Sequence, residues 1–244
     1  MQEQETPARP TVTEDAVDLS DVRFAWADAR RFQLVVDRLV VGRGERLLLV
    51  GPSGVGKSTL LSLICGIVLP LAGQVRVLGQ DLARLNGPRR DRFRAEHIGI
   101  IFQMFNLLPY GSVLDNVLLP LSFAPQRRAR VARGGGTRQE AQRLLEALDL
   151  DADLLSAATA ELSVGQQQRV AAARALIGGP EIVVADEPTS ALDPARQTDF
   201  LDLLFAQVAA AGATLIMVSH EPGMARWFDR VQQLDDLLRT DGAP

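Results

Sequence analysis

Nine consecutive residues, Gly51-Pro52-Ser53-Gly54-Val55-Gly56-Lys57-Ser58-Thr59, constrain this chain more than any other stretch. They have the form G-x-x-x-x-G-K-[ST] followed by threonine. The apolar run 47–50 before them reads as a buried strand, and residues 60–65 after them read as a helix packed on that strand. Strand, glycine-rich loop and helix in that order are the context in which this motif cradles phosphate. Gly51, Gly54 and Gly56 let the backbone turn tightly, so that successive N–H groups converge on one anion. The helix that starts near Lys57 adds the positive end of its dipole, and Lys57 adds a formal charge near the terminal phosphates. Ser58 offers a hydroxyl to Mg²⁺, a hard cation that takes oxygen ligands. The stretch predicts a nucleotide-binding site with Mg²⁺ beside it.

Length and charge narrow the setting. A chain of 244 residues can bury a full hydrophobic core, as one large domain or a core with a smaller lobe. No apolar run is long enough to cross a bilayer. A net charge of −4 gives no general reason to expect nucleic acid, whose binding rests on lysine and arginine neutralising phosphates. The single cysteine, Cys65, excludes an intrachain disulfide and reads as a small buried apolar side chain. Residues 1–16, rich in Glu, Thr and Pro, read as a disordered tail without the apolar stretch of a secretory signal. The chain ends soon after its last expected strand, which leaves no room for an appended regulatory domain.

Two strands are expected before the phosphate-loop strand, at 17–26 and 34–41, the first with Val22, Phe24 and Trp26 in alternation. Three strands ahead of the first helix imply that an antiparallel sheet is added to the nucleotide-binding core. Trp26 stays open between a core position and a ring stacked on adenine. A short strand at 73–78 precedes a basic helix at 84–96, with Pro88 suited to its first turn. His97 has no second ligand near it in sequence and reads as structural or surface. Residues 98–102 form a buried strand that ends at Gln103, where an amide could meet a metal or its water.

The stretch 104–123 is unusually apolar and suggests a small helical lobe, part of it free to accept a partner. Residues 127–138 read as an exposed basic loop with three glycines. Thr137 and Glu140 then have the spacing of a capping box for a helix carrying Ala141, Leu144, Leu145 and Leu148. Ser163 and Gln166 form a second such box, at a helix tip that can also receive an anion. Residues 182–185 are a buried strand ending in two carboxylates. Asp186 fits as the metal-orienting acid and Glu187 as the base that polarises an attacking water. Asp193 and Pro194 start the next helix. The strand 214–219 ends at His220, placed to touch a terminal phosphate.

Together these residues resemble the ATPase subunit of ATP-binding cassette (ABC) transporters over about 17–238. The resemblance rests on the phosphate loop 51–59, Gln103, the run Leu-Ser-Val-Gly-Gln-Gln-Gln-Arg at 162–169, the acidic strand 182–187, Ser-Ala-Leu-Asp at 190–193, and His220, all in family order. The wording of 100–109 and 116–121 is also similar to subunits of lipoprotein-releasing and macrolide-efflux exporters. It implies an α/β fold, a P-loop NTPase core with a mainly parallel sheet, an antiparallel β subdomain and a helical subdomain. The core would occupy about 17–103 and 165–244, and the helical subdomain about 104–164. It further implies a head-to-tail homodimer in which Ser163, Gly165 and Gln166 of one protomer close over ATP held by the other. Trp26 becomes the adenine-stacking ring. A membrane permease would dock near 103–119 and hold the subunit at the cytoplasmic face of the membrane. Val164 departs from the pattern, which usually has glycine there, and its branched side chain narrows backbone freedom. A soluble relative acting mechanically on DNA or ribosomes would carry a coiled-coil insert, a second cassette or a strongly basic face, and none is visible. A kinase or GTPase would leave 162–169 unexplained, and no guanine-reading [NT]-K-x-D motif occurs.

Overall fold

The computed structural model describes residues 15–26, 33–190 and 192–239. The chain enters through β1 (Asp15–Ala25), β2 (Gln33–Gly42) and β3 (Arg46–Val50), then α1 (Lys57–Ile64), β4 (Ala72–Val77) and β5 (Gln80–Asp81). Next come α2 (Gly87–His97), β6 (Ile98–Ile101), α3 (Val113–Leu118), α4 (Pro125–Arg133) and α5 (Thr137–Ala147). The last part holds α6 (Val164–Leu176), β7 (Ile182–Asp186), α7 (Pro194–Ala211), β8 (Thr214–Ser219), β9 (Arg230–Gln233), α8 (Leu234–Leu237) and β10 (Leu238–Arg239).

Two sheets result. One is parallel throughout, in the order β6-β7-β8-β3-β9. The other is antiparallel, in the order β10-β2-β1-β4-β5. The strands of the parallel sheet are apolar runs because both of their faces are covered. Leu47 and Leu49 point into a cluster shared with α1 and the antiparallel sheet. Leu48 and Val50 point the other way, into a cluster shared with α3, α5, α6 and α7. Ile182 and Val184 against Val183 and Ala185, and Ile216 and Val218 against Leu215 and Met217, alternate in the same way. The sheet is thus a wall between two cores, and its carboxyl edge is the place where polar side chains can gather.

Gly99 of β6 shows how closely α6 lies on this wall. A Cβ there would come 2.1 Å from the carbonyl oxygen of Ala175. Since that neighbour is backbone at a helix end, Gly99→Ala is expected to prevent stable folding. Its midpoint in urea should fall well below that of Gly87→Ala, where an added Cβ meets open space.

Several expectations are corrected here. Residues 1–14 lie outside the described residues, but Asp15 and Ala16 already belong to β1, and Ala16 is fully buried, so the proposed tail does not extend to 16. The basic helix starts at Gly87, capped by the Asn86 side chain accepting from the Arg89 N–H, while Leu82–Arg84 is a separate 3-10 turn. Residues 127–133 are not an exposed loop. They belong to α4, and Arg127 is only 1% exposed. Its guanidinium donates to the carbonyls of Ala95, Ala175 and Ile177, and Arg130 donates to those of Gly178 and Gly179. The Thr137 capping box is also absent. Gly136 precedes α5 with no side-chain cap, and Glu140 is drawn off by a two-armed hydrogen bond from Arg143.

Candidate active site

The carboxyl edge of the parallel sheet gathers the chemistry. Gly51 follows β3, Gln103 follows β6, Asp186 ends β7 and His220 follows β8. Between β3 and α1 the loop 51–56 turns through Gly54 (φ 84°) and Gly56 (φ 110°), backbone conformations that residues with side chains rarely adopt. Gly56 precedes the first turn of α1, so the free N–H groups of that turn face the cleft. The cleft measures about 450 Å³ and is lined by Trp26, Ser53, Gly54, Gly56, Lys57, Ser58, Thr59, Gln103, Asp186 and Glu187. The flanking loop residues Pro52 and Val55 shape it from behind, the latter closing its turn with an N–H bond to the Pro52 carbonyl at 3.5 Å.

Lys57 is buried, donates to the Gly51 carbonyl at 2.9 Å, and pairs with Glu187 at 2.6 Å. Glu187 accepts on its other oxygen from His220, 2.9 Å away. Burial alone would push the Glu187 carboxyl up, but the hydrogen bonds and charges of Lys57 and His220 hold it below the usual glutamate range. Asp186 behaves in the opposite way. Burial pushes its carboxyl up and the Glu187 charge adds to the rise, against a 2.7 Å hydrogen bond donated by the Ser58 hydroxyl. Two adjacent carboxylates therefore have different environments, one held by Lys57 and His220 and the other calling for a cation.

That donor set fits Mg²⁺. Ser58, Asp186 and the Gln103 amide are hard oxygen donors lining one cleft. No cluster of three or more His, Cys, Asp or Glu residues suited to a metal exists among the described residues. A single carboxylate with neutral oxygens is what Mg²⁺ uses when substrate phosphates supply the rest.

Trp26 stands at the rim, 45% exposed, its indole N–H reaching the Thr59 hydroxyl at 3.3 Å and its ring set edge-on to Phe24. This leaves a ring face open beside the phosphate loop. Ser163, Gly165 and Gln166 are not brought to this cleft. They line a separate surface cleft of about 390 Å³ with Arg196 and Asp199. The box at that tip is complete: the Ser163 N–H donates to the Gln166 side chain at 2.9 Å, and the Gln166 N–H donates back to the Ser163 hydroxyl at 3.4 Å. Val164 is 49% exposed beside it and is accommodated in the first turn of α6. Within one chain, the signature tip and the phosphate cradle are distinct surfaces.

Two buried groups that sequence reading did not single out hold the loops of this cleft. Arg174 of α6 donates to the carbonyls of Phe105 and Asn106, the two residues with φ of 59° and 49° that turn the chain just past Gln103. Gln168, also of α6, donates to the Pro188 carbonyl at 2.6 Å. The signal for Gln168 was available, because helical spacing puts it on the face of Ala171, Ala172 and Ala175.

A parallel sheet with a glycine-rich phosphate loop between an inner strand and the first helix is the nucleotide-binding core of P-loop NTPases. Over residues 37–190 the chain matches the family described as ABC transporter. It belongs to that family, as an ATPase subunit. It is 36% identical over 236 residues to the lipoprotein-releasing system ATP-binding protein LolD of Xylella fastidiosa strain Temecula1, covering 96% of this chain and 95% of that protein. It is 40% identical over 208 residues to the macrolide export ATP-binding/permease protein MacB of Chromobacterium violaceum, where the match covers 84% of this chain and 31% of the longer protein. Among solved structures, the dimeric ATP-binding cassette MJ0796 bound to ADP and Pi is 31% identical, with a TM-score of 0.78 over 93% of this chain and all of that one.

Proposed function

We propose that this subunit drives an exporter, or a permease that extracts lipids or lipoproteins, and that it works as a head-to-tail dimer closed around two ATP. The full-length likeness to LolD and the likeness to the cassette part of MacB support the transport class. One observation carries the dimer: the Ser163 tip lies on a different surface from the cleft that holds Lys57, Ser58, Asp186 and Glu187, so a second copy is needed to cap it. In this reading Trp26 stacks on adenine and the loop 51–59 cradles the phosphates. Ser58, Asp186 and Gln103 would hold Mg²⁺, which would supply positive charge to the phosphates. A triphosphate in the cradle draws Lys57 onto itself and leaves Glu187 paired with His220 alone. Glu187 then takes the proton of the attacking water, and His220 orients that carboxylate beside the γ-phosphate.

Size-exclusion chromatography tests this reading. Glu187→Gln protein in saturating Mg-ATP is expected to elute as a dimer and the same protein without nucleotide as a monomer. A strictly monomeric profile with Mg-ATP, even alongside the membrane partner, would refute the sandwich.

The permease is proposed to dock near residues 103–119. No helix among the described residues is long and apolar enough to cross a membrane, so the span must come from another segment or subunit. A groove of about 720 Å³ runs between α2, β6 and the lobe, with Ile100, Phe102, Leu119 and Phe123 along it. Tyr110, 85% exposed, and Met104 stand out nearby. Tyr110→Glu and Met104→Glu should leave ATPase activity of the isolated subunit intact but remove its stimulation by the co-reconstituted permease. Stimulation at the wild-type level in both would place the docking site elsewhere. Such docking holds the subunit at the cytoplasmic face of the membrane.

A further inference from the structure

Gln168 is entirely buried, yet the chemistry above leaves it no task. Its amide N–H₂ donates to the Pro188 carbonyl, while its own Oε1 is buried with no hydrogen-bond partner. An orphaned buried oxygen costs about 1–3 kcal/mol; a leucine would remove that oxygen while leaving the Pro188 carbonyl without its donor, so the two changes roughly offset. Stability is therefore not what a glutamine offers at this position. What it offers is a donor aimed at one carbonyl.

That carbonyl belongs to the residue after Glu187. Glu187 itself has φ of 43°, a left-handed backbone at a side chain that is not glycine. Such a conformation persists only where its surroundings over-determine it. Three constraints act on this turn. The Glu187 N–H is bonded to Val218 O at 3.1 Å, the Ser190 N–H to Glu187 O at 3.2 Å, and Gln168 grips Pro188 from α6. From the opposite side, Gln197 of α7 donates to the carbonyls of Thr189 and Leu192. The segment that carries the carboxylate is clamped between two helices. One of those helices begins at the Ser163 tip, less than two turns before Gln168.

We propose that Gln168 is a positioning residue for hydrolysis: through Pro188 it sets the Glu187 carboxylate, and through α6 it ties that setting to the seating of the Ser163 tip on the partner's nucleotide. The inference rests on the reading of Glu187 as base and of Ser163 as a contact in trans. Tip and base belong to opposite nucleotide sites of the dimer, so Gln168 links the two sites within one protomer.

The test uses the full chain with Gln168→Leu, and with Gln168→Met as a second donor-less side chain. Each is made in the wild-type and in the Glu187→Gln background. Misplacing a reacting group by about 1 Å costs on the order of 10²-fold in rate, so kcat is expected to fall ~10–10²-fold. KM for ATP should stay within about twofold, because the interaction matters at the chemical step rather than in ground-state binding. The thermal midpoint should not fall. In the Glu187→Gln background neither substitution should lower the residual rate further, since no base remains to be placed. Mg-ATP-dependent dimerisation there should be retained.

Wild-type kcat in both variants would overturn the proposal. So would a loss that multiplies with that of Glu187→Gln, or one that tracks a fall in the thermal midpoint, because either is the mark of a purely structural role. If Glu187→Gln alone hydrolyses ATP at the wild-type rate, the assignment of the base fails and the proposal falls with it. A dead Glu187→Gln beside an unaffected Gln168→Leu and Gln168→Met removes the proposal only.

Discussion

Glu187→Gln should lower ATP turnover ~10²–10⁴-fold while leaving ATP binding nearly unchanged. The amide is the same size as the carboxylate and still accepts from Lys57 or His220, which lie 2.6 and 2.9 Å from the two oxygens. What it loses is the ability to take a proton, so the deficit belongs in kcat and amounts to about 3–5 kcal/mol of barrier. Lys57 and His220 depress the Glu187 carboxyl in this structure, which keeps it ionised at neutral pH. On the reading proposed above, a triphosphate draws Lys57 away and so withdraws one of the two groups that hold the carboxyl down. The carboxyl then rises and becomes a stronger proton acceptor, in the direction that suits a base. Single-turnover hydrolysis alongside equilibrium ATP binding separates the two effects. Turnover at the wild-type rate would show that another group activates the water.

Arg127→Ala should cost ~3–5 kcal/mol of unfolding free energy, a large effect for a side chain outside the nucleotide cleft. The guanidinium is buried and binds only main-chain carbonyls, those of Ala95, Ala175 and Ile177, at the junction of α2, α4 and the end of α6. Burial pushes it down to about 10, and the nearby Arg130 charge adds to the effect, so it remains charged at neutral pH. Glu96, also buried, receives the Gln126 and Arg127 N–H groups at the start of α4. Alanine would strand three carbonyls and open a void together. For a domain of this size that loss corresponds to a fall of about 10 °C in the melting midpoint. Arg143→Ala, which breaks an exposed pair with Glu140 and a long hydrogen bond to Gln207, should cost about 0–1 kcal/mol by the same measurement. A difference of less than a degree between the two variants would show that the Arg127 clamp adds nothing.

The contrast between Arg127 and Ser163 shows what the sequence made legible. The partners of Ser163 lie three residues along, so the cap at the start of α6 could be read directly from spacing. The carbonyls that bind Arg127 lie 32 to 50 residues away, and nothing local distinguishes it from the exposed arginines around it. The strands 47–50, 182–185 and 214–219 were legible because burial on both faces leaves an uninterrupted apolar run. The positions of Asp186 and His220 at strand ends followed from that. The left-handed backbone at Glu187 could not be read, because it is imposed by β8, α6 and α7 together rather than by residue type. The Thr137 box failed for the converse reason. Its spacing was right, but the helix starts one residue early, with Gly136 at the cap and Thr137 already inside the first turn.

The contact between Lys57 and Glu187 has one more consequence. The Lys57 ammonium already serves the Gly51 carbonyl and the Glu187 carboxylate, so a triphosphate tail has to compete with that carboxylate for it. On the roles proposed above, the charge that recruits fuel is the same charge that keeps the proton acceptor muzzled until fuel arrives. A compound such as AMP, lacking the outer phosphates, leaves that muzzle in place.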